Sequence, residues 1–337
     1  MMKRATISDV ARRVGVSPTA VSFAFNNPSQ LNAATVEQIL AAARELGYAP
    51  NPHARALLSR RTGALGVLVP QSLFAIYANP YFATFLQGIG SLCDDQALGL
   101  LTVSPLEGSL TSAIARAPVD GFIIVGLNEN HDEVAPLRKR GVPVVIVDGH
   151  AHTTTSVNVD DEGGAYAAGR HVLSHGHRQL ATLTFEPLPT LESHKPSVGA
   201  NRLQGYRRAV EESGLEWAAQ LVEPSISGVE DGEHCFLSLW EQGHRPTAVL
   251  CMSDAVAIGV VRAALQLGLR VPDDLEVIGF DDIPAASLIT PPLSTVHQPI
   301  FEKGRTAAEL LVARLEGDTP AETVVLPTDL VLRGTTR

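Results

Sequence analysis

No run in this sequence approaches the ~18 consecutive apolar residues needed to cross a bilayer. The opening stretch "MMKRATISDVARR" has no apolar segment behind its basic residues, so it does not read as a secretory signal. Cysteine is scarce: Cys93, Cys235 and Cys251 are odd in number, widely spaced and lack CxxC or metal-ligand spacing. That excludes a disulfide framework and leaves buried thiols in a reducing compartment. These absences predict a cytoplasmic protein with no membrane partner. Catalytic signatures are missing too. There is no nucleophile elbow and no Ser-His-Asp order. "GIGSLC" (88–93) begins like a dinucleotide fingerprint but lacks the third glycine and lies inside a helix pattern. Neither an enzyme nor a cofactor is expected.

What is present is a long, apolar chain with uneven charge. Its 337 residues, 45% hydrophobic and 18% charged, suit two or three soluble domains with a sizeable core. Net charge is −10, yet through Arg61 eight basic residues (Lys3, Arg4, Arg12, Arg13, Arg44, Arg55, Arg60, Arg61) face three acidic ones (Asp9, Glu37, Glu45). A basic head on an acidic body suggests a polyanion-binding module carried by something else.

The head reads as helices. Thr6 followed by Asp9 is a capping-box-like start, and Ile7, Val10, Ala11 and Val14 share one helical face that ends near Gly15. Ser17 is a good N-cap and Pro18 suits the first helical position, so a second helix runs to about Asn26. Helix, glycine turn, helix is the helix-turn-helix pattern. In the second helix Val21, Ala24 and Phe25 turn inward, while Pro18, Thr19, Ser22, Phe23 and Asn26 stand together on the other side. Such a face suits the DNA major groove, with hydroxyls for hydrogen bonds and apolar groups for a thymine methyl. A third helix, about 33–46, offers Val36, Ile39, Leu40, Ala43 and Leu46 to cover the other two. In "YAPNPHARALLSRRTG", Asn51 can cap and Pro52 can begin a helix of barely two turns. So short a helix forms only when DNA and a partner copy hold it, which makes Leu57 a candidate minor-groove wedge.

At this point the sequence resembles the lactose-repressor (LacI) family of bacterial transcription regulators. "ATISDVARRVGVSPTAVSFAFNN", "ARELGYAPNPHARAL" and "RTGALGVLVP" follow that family's headpiece, hinge and first core strand. "GHRQLATL", "NRLQGYRRAV", "PTAVLCMSDAVAIGVVRAALQLGLRVPDDLEVIGFDDI" and "PPLSTVHQP" follow its regulatory domain, so the likeness spans essentially the whole chain. The resemblance places Pro18, Thr19 and Phe23 at base-reading positions and Leu57 at the hinge wedge. The full DNA-contacting set expected is Thr6, Ser17, Pro18, Thr19, Ser22, Phe23, Asn26, Asn51, His53, Ala54, Arg55 and Leu57. Phe23 departs from the family's frequent arginine or histidine and so removes one hydrogen-bonding reader.

From residue 63 onward, apolar strands alternate with helix-length stretches: "GALGVLVP", "GLLTVSP", "VDGFIIVGL", "VPVVIVD", "QLATLTF", "TAVLCMSD" and "LEVIGFDD". That alternation argues doubly wound parallel sheets, dividing near residue 160 into two lobes. The expected architecture is therefore an all-α helix-turn-helix headpiece (1–50), a hinge helix and linker (51–62), and an α/β periplasmic-binding-protein-like core (63–337). By the resemblance, the first lobe comprises 63–159 and 299–322 and the second 160–298 and 323–337, with crossings near 160, 297 and 323.

Ligands of open α/β sheets bind beyond the carboxyl ends of the strands, where Ser253, Asp254, Asp281 and Asp282 fall. Arg202 begins a nearby helix pattern, and a guanidinium facing a carboxylate suits a polyhydroxylated ligand. The resemblance marks Arg202, Ser253, Asp254 and Asp281 as effector contacts, and Tyr77, Asn79 and Tyr81 as further pocket residues. Around "VEPSISGVEDG" no aromatic stands where many relatives stack a ring; Ser225, Ile226 and Ser227 are there instead. The expected partners are double-stranded operator DNA, a small-molecule effector (a sugar or related metabolite) and a second copy in a homodimer, a tetramer remaining open. A solute-binding protein without DNA function is the alternative. His171, His175 and His177 raise a metal site, but no cysteine or carboxylate in the sequence completes a tetrahedron, and none is expected.

Overall fold

The computed structural model describes residues 5–49, 61–105, 109–185, 197–225, 228–317 and 320–337. The chain divides into a head through Gly63 and a body from Ala64. In the head, helix α1 (Ile7–Val14) starts where the Asp9 carboxylate accepts from the Thr6 amide at 2.9 Å and its hydroxyl at 2.7 Å. It ends at Gly15, whose left-handed backbone (φ 78°) needs a residue without Cβ. Helix α2 (Pro18–Asn26) is capped by Ser17 Oγ, which accepts from the Ala20 amide at 3.1 Å. Helix α3 (Ala33–Glu45) is capped by Asn32. Val10, Ala11, Val21, Ala24, Ile39, Ala42 and Ala43 make the core, with Phe25 packed edge-on to Tyr48. Leu40 and Leu46 lie outside that cluster, contrary to expectation. Helix α3 ends one residue before Leu46, which is 37% exposed, and Ala42 takes an inward position instead. The hinge-helix reading, with Asn51, His53, Ala54, Arg55 and Leu57, falls outside the described residues.

The body contains two six-stranded sheets. The first has the order β11-β5-β4-β3-β1-β2, all parallel; the second has β12-β10-β9-β8-β6-β7, parallel except for the β10–β12 pair. Strands β1 (Ala64–Leu68), β2 (Gly99–Val103), β3 (Gly121–Val125), β4 (Val144–Val147), β6 (Leu180–Phe185), β8 (Ala248–Cys251) and β9 (Glu276–Asp281) are the seven apolar runs read from the sequence. Strands β5 (Thr155–Val159), β7 (Leu221–Ser225), β10 (Ser294–His297), β11 (Thr323–Leu326) and β12 (Asp329–Val331) complete the sheets. The chain crosses between lobes after β5 and after β10. The third crossing comes after Leu326 rather than near 323, because β11 pairs along its length with β5 of the first sheet.

Helix Ile300–Glu316 follows the second crossing yet packs on the first lobe, against helix Pro80–Asp95 and strands β3 to β5. Glycines set that approach. A Cβ on Gly88 would sit 2.0 Å from the Phe301 carbonyl oxygen, and one on Gly304 would sit 2.2 Å from that of Phe85. Backbone cannot swing aside as a side chain can, so both positions exclude any larger residue without movement of a helix. The close approach brings Lys303, beside Gly304, to the amino end of helix Pro80–Asp95.

Candidate nucleic-acid interface and effector cleft

The outer face of α2 is what remains after the head has built its core. Pro18, Thr19 and Asn26 are exposed, and Ser22 and Phe23 are half-buried outside the cluster that takes Phe25. Asn26 Nδ2 donates to Ser22 Oγ at 3.3 Å, so the two polar groups stand side by side. Thr6 and Ser17 already serve the helix starts; Ser17 Oγ is engaged with Ala20.

In the body, helix termini and strand ends bring charged groups into one buried network that draws on both lobes. Lys303 is fully buried. Its ammonium donates to Asp148 Oδ1 at 2.8 Å, to the Tyr81 hydroxyl at 3.2 Å and to Gln298 Oε1. Tyr81 in turn donates to Asp148 Oδ2 at 2.6 Å. Gln298 Nε2 donates to Asp281 Oδ1, which lies 3.6 Å from Arg202. Arg202 Nε donates to Asp161 Oδ1 at 2.8 Å, and another of its N–H groups donates to the Met252 carbonyl. Its guanidinium lies 3.6 Å from the centre of the Phe280 ring. Tyr81 and Asp148 belong to the first lobe, Arg202, Asp161 and Asp281 to the second, and Lys303 and Gln298 join them.

Backbone and charge are both unusual here. Asp148, just past β4, has φ 54°, and Asp281, ending β9, has φ 127°. Non-glycine residues held in that region cost on the order of 1–3 kcal/mol and cluster at functional sites. Four carboxylates (Asp148, Asp161, Asp254, Asp281) share the region with two cations (Lys303, Arg202). Burial pushes Asp281 up to about 6 against the pull of Arg202. Burial, with Asp281 adding to it, raises Asp254 well above the usual carboxylate range. The Tyr81 hydroxyl is likewise raised by burial and by Asp148.

Of the residues expected around the effector, Tyr81, Arg202 and Asp281 come together in this network. Ser253 and Asp254 lie just behind it in other work. Ser253 caps helix Asp254–Gln266, while Asp254 accepts from the Ile283 amide at 2.9 Å and from the Thr295 hydroxyl. Asn79 caps helix Pro80–Asp95, its Oδ1 accepting from the Tyr81 amide. Tyr77 is 66% exposed and its hydroxyl reaches Thr102 on β2, away from the network. Asp148, Asp161, Gln298 and Lys303 were not singled out from the sequence. Lys303 left a signal there, since it interrupts the apolar face formed by Ile300, Ala307, Ala308 and Leu311.

A helix-turn-helix head joined to a two-lobed α/β core with charged groups at the strand ends defines a ligand-responsive transcription regulator. Residues 6–51 match the model for bacterial regulatory proteins of the lacI family, and residues 170–336 match the periplasmic binding protein-like domain. The chain is 33% identical over 325 residues to the HTH-type transcriptional repressor PurR of Photobacterium profundum, covering 93% of this chain and 92% of that one. It is similar to the lac repressor dimer bound to operator and the anti-inducer ONPF, with TM-score 0.82, 28% identity and 99% of each chain covered. A complex of the transcriptional regulator CelR with cellobiose gives TM-score 0.71 and 30% identity, covering 98% of this chain and 100% of that one. The chain belongs to the LacI family: it is a transcriptional repressor of the LacI/PurR type, with a DNA-binding and an effector-binding domain, and not an enzyme. The matched DNA-binding region sets aside the solute-binding alternative. Among the described residues, no helix is long and apolar enough to cross a membrane.

Two predictions test the network. Lys303→Met leaves Asp148 buried without its cation and is expected to cost about 3–5 kcal/mol in urea unfolding, with part of the loss restored by adding Asp148→Asn. The pH response isolates Asp281. With its carboxyl raised from 3.8 to about 6, the folded protein holds a proton that the unfolded chain has released between those values. Stability therefore falls as pH rises through that window. Asp281→Asn should abolish that step, so wild type loses on the order of 2 kcal/mol more than the variant between about pH 4 and pH 7.

Proposed function

We propose that this chain represses transcription as a homodimer on a near-palindromic operator, with one head per half-site. A small molecule held between the lobes controls its affinity for DNA. The observation that carries the DNA half is the outer face of α2: a capped helix start at Ser17 and, beyond it, Pro18, Thr19, Ser22, Phe23 and Asn26 kept out of the core. Those side chains suit base edges and thymine methyls, while Thr6, Ser17 and the basic residues of the head suit phosphates. Asn51, His53, Ala54, Arg55 and Leu57 are assigned to a hinge segment beside the minor groove, Leu57 as its wedge, on the strength of the sequence pattern.

For the effector, Arg202, Asp281 and Tyr81 are assigned the direct contacts, with Ser253 and Asp254 supporting them. Carboxylates outnumber cations there, so a ligand rich in hydrogen-bond donors, such as a polyol or sugar, is favoured over an anion. The similarity to a cellobiose-bound regulator supports the same class. Such a ligand acts only if it binds one lobe arrangement better than the other. The second copy is assigned to an apolar strip on the first lobe: Leu73, Phe74 and Tyr77 on helix Leu73–Ala78, with Leu100 and Leu101 on the edge strand β2. Phe74 is 85% exposed, unusual for so large an apolar side chain unless a partner covers it.

The experiment for the DNA half selects duplexes from a random pool with the full chain, then measures Thr19→Ala and Phe23→Ala on the selected and on scrambled sequences. A loss of about 10- to 100-fold on the selected duplex, with little change on the scrambled one, is expected for base-reading residues. Equal losses on both would remove them from base recognition. For the assembly, Phe74→Arg should shift the sedimenting species from dimer to monomer and weaken operator binding at least about tenfold, since paired heads gain from effective concentration. A variant that still sediments as a dimer would place the interface elsewhere.

A further inference from the structure

Away from the cleft, at the amino-terminal end of the second sheet, the turn between helix Asp161–Ser174 and β6 carries His175 and His177. Both face Glu276, the fully buried first residue of β9. His175 Nδ1 lies 2.8 Å from one Glu276 oxygen and 3.1 Å from the other, and His177 Nε2 lies 3.4 Å from the latter. The three donor atoms fall within 4.8 Å of one another. Two ligands of one tetrahedral ion, each bonded at ~2.0–2.1 Å, stand about 3.3 Å apart; the 3.1 Å and 3.4 Å separations lie close to that, and the 2.8 Å contact has to open slightly. The carboxylate missing from the local histidine sequence comes from a strand a hundred residues on.

The surroundings of the His177 ring point the same way. The Thr247 hydroxyl donates to the Gln179 carbonyl at 3.4 Å and stands 2.8 Å from His177 Nδ1. With Nδ1 engaged by Thr247, Nε2 is the ring nitrogen left to face Glu276. That nitrogen is buried and has no hydrogen-bond partner among the described residues. With Nε2 unprotonated, its lone pair would meet the carboxylate, a repulsion that a cation between them relieves. An imidazolium would serve only if Nε2–H pointed in line at Glu276, and no such hydrogen bond forms. Neighbouring groups are engaged elsewhere: His171 with Thr336 at 3.0 Å, and the half-exposed Arg337 donates to the Asp273 carbonyl at 3.1 Å, its Nε standing 3.7 Å from Glu276.

We propose that His175, His177 and Glu276 bind one divalent transition metal of the zinc class, with a water at the fourth position. Two imidazoles and a carboxylate are a nitrogen/oxygen donor set of the kind zinc accepts. The ion would join the carboxyl end of helix Asp161–Ser174 to the first residue of β9. The opposite ends of those elements carry Asp161 and Asp281, the two carboxylates that flank Arg202. A metal here therefore staples the helix and strand that hold the arginine, at the end remote from it.

The test uses the full chain stripped with EDTA and dialysed against zinc or cobalt(II). One zinc per chain is expected to remain, cobalt is expected to show the visible absorption of a tetrahedral site, and zinc should raise Tm by about 5 °C. His177→Gln and Glu276→Gln should each weaken zinc binding at least about tenfold. X-ray absorption of the zinc-loaded wild type should show a nitrogen/oxygen shell with imidazole scattering, a readout independent of whether the variants fold. Failure to retain zinc at micromolar concentration, retention unchanged in His177→Gln, or a shell containing sulfur or lacking imidazole would overturn the proposal.

Discussion

The body of this repressor is organised around one buried ammonium. Taking a lysine charge out of water costs several kcal/mol unless good acceptors meet it. Lys303 meets that demand with Asp148, Tyr81 and Gln298, one acceptor for each of its three protons. Two of the acceptors sit on the first lobe and the third passes the connection to Asp281 and Arg202 on the second. The glycines at 88 and 304 are a precondition, since only without a Cβ can the two helices come close enough to bring Lys303 to Tyr81. Lobe geometry, helix packing and charge pairing therefore form a single problem with one solution.

The same network holds tension. Aspartates in left-handed backbone end a strand in one lobe and follow a strand in the other, and more carboxylates than cations are gathered between them. A site with unspent acceptors and raised carboxyl groups is better prepared to take hydrogen-bond donors from a ligand than a neutral apolar slot would be. Phe280 beneath Arg202 adds direction, because a guanidinium stacked on a ring can turn only in its own plane.

Much of this was legible in the sequence, and what was not has definite causes. The outer face of α2 could be read because Ser17 and Pro18 announce the helix start and Val21, Ala24 and Phe25 share one side, where Phe25 meets Tyr48. Seven strands were legible as apolar runs. Strands β5 and β10 were not among them, because Thr155, Ser156, Ser294 and Thr295 interrupt the apolar pattern; all four are buried with their hydroxyls bonded inside. Pro224 hid β7, and it is tolerated there because that strand is the last in its sheet. In the cleft, Arg202 and Asp281 declare themselves by charge at the right places. Lys303 does not, because a lysine in a helix is ordinarily read as solvent-facing. Tyr77 shows the converse: next to an expected pocket in sequence, it is largely exposed and its hydroxyl donates to Thr102 on β2.

Neither lobe is a contiguous stretch of chain. The first sheet waits for β11, and the second for β12 and for Thr335 and Thr336, which bond Ser294 from within. During synthesis, therefore, neither half of the body can close its sheet until residues 323–331 have left the ribosome, and the two must mature together. The three strands of chain that pass between them also act as parallel tethers, so a nick in any single one would leave both halves attached.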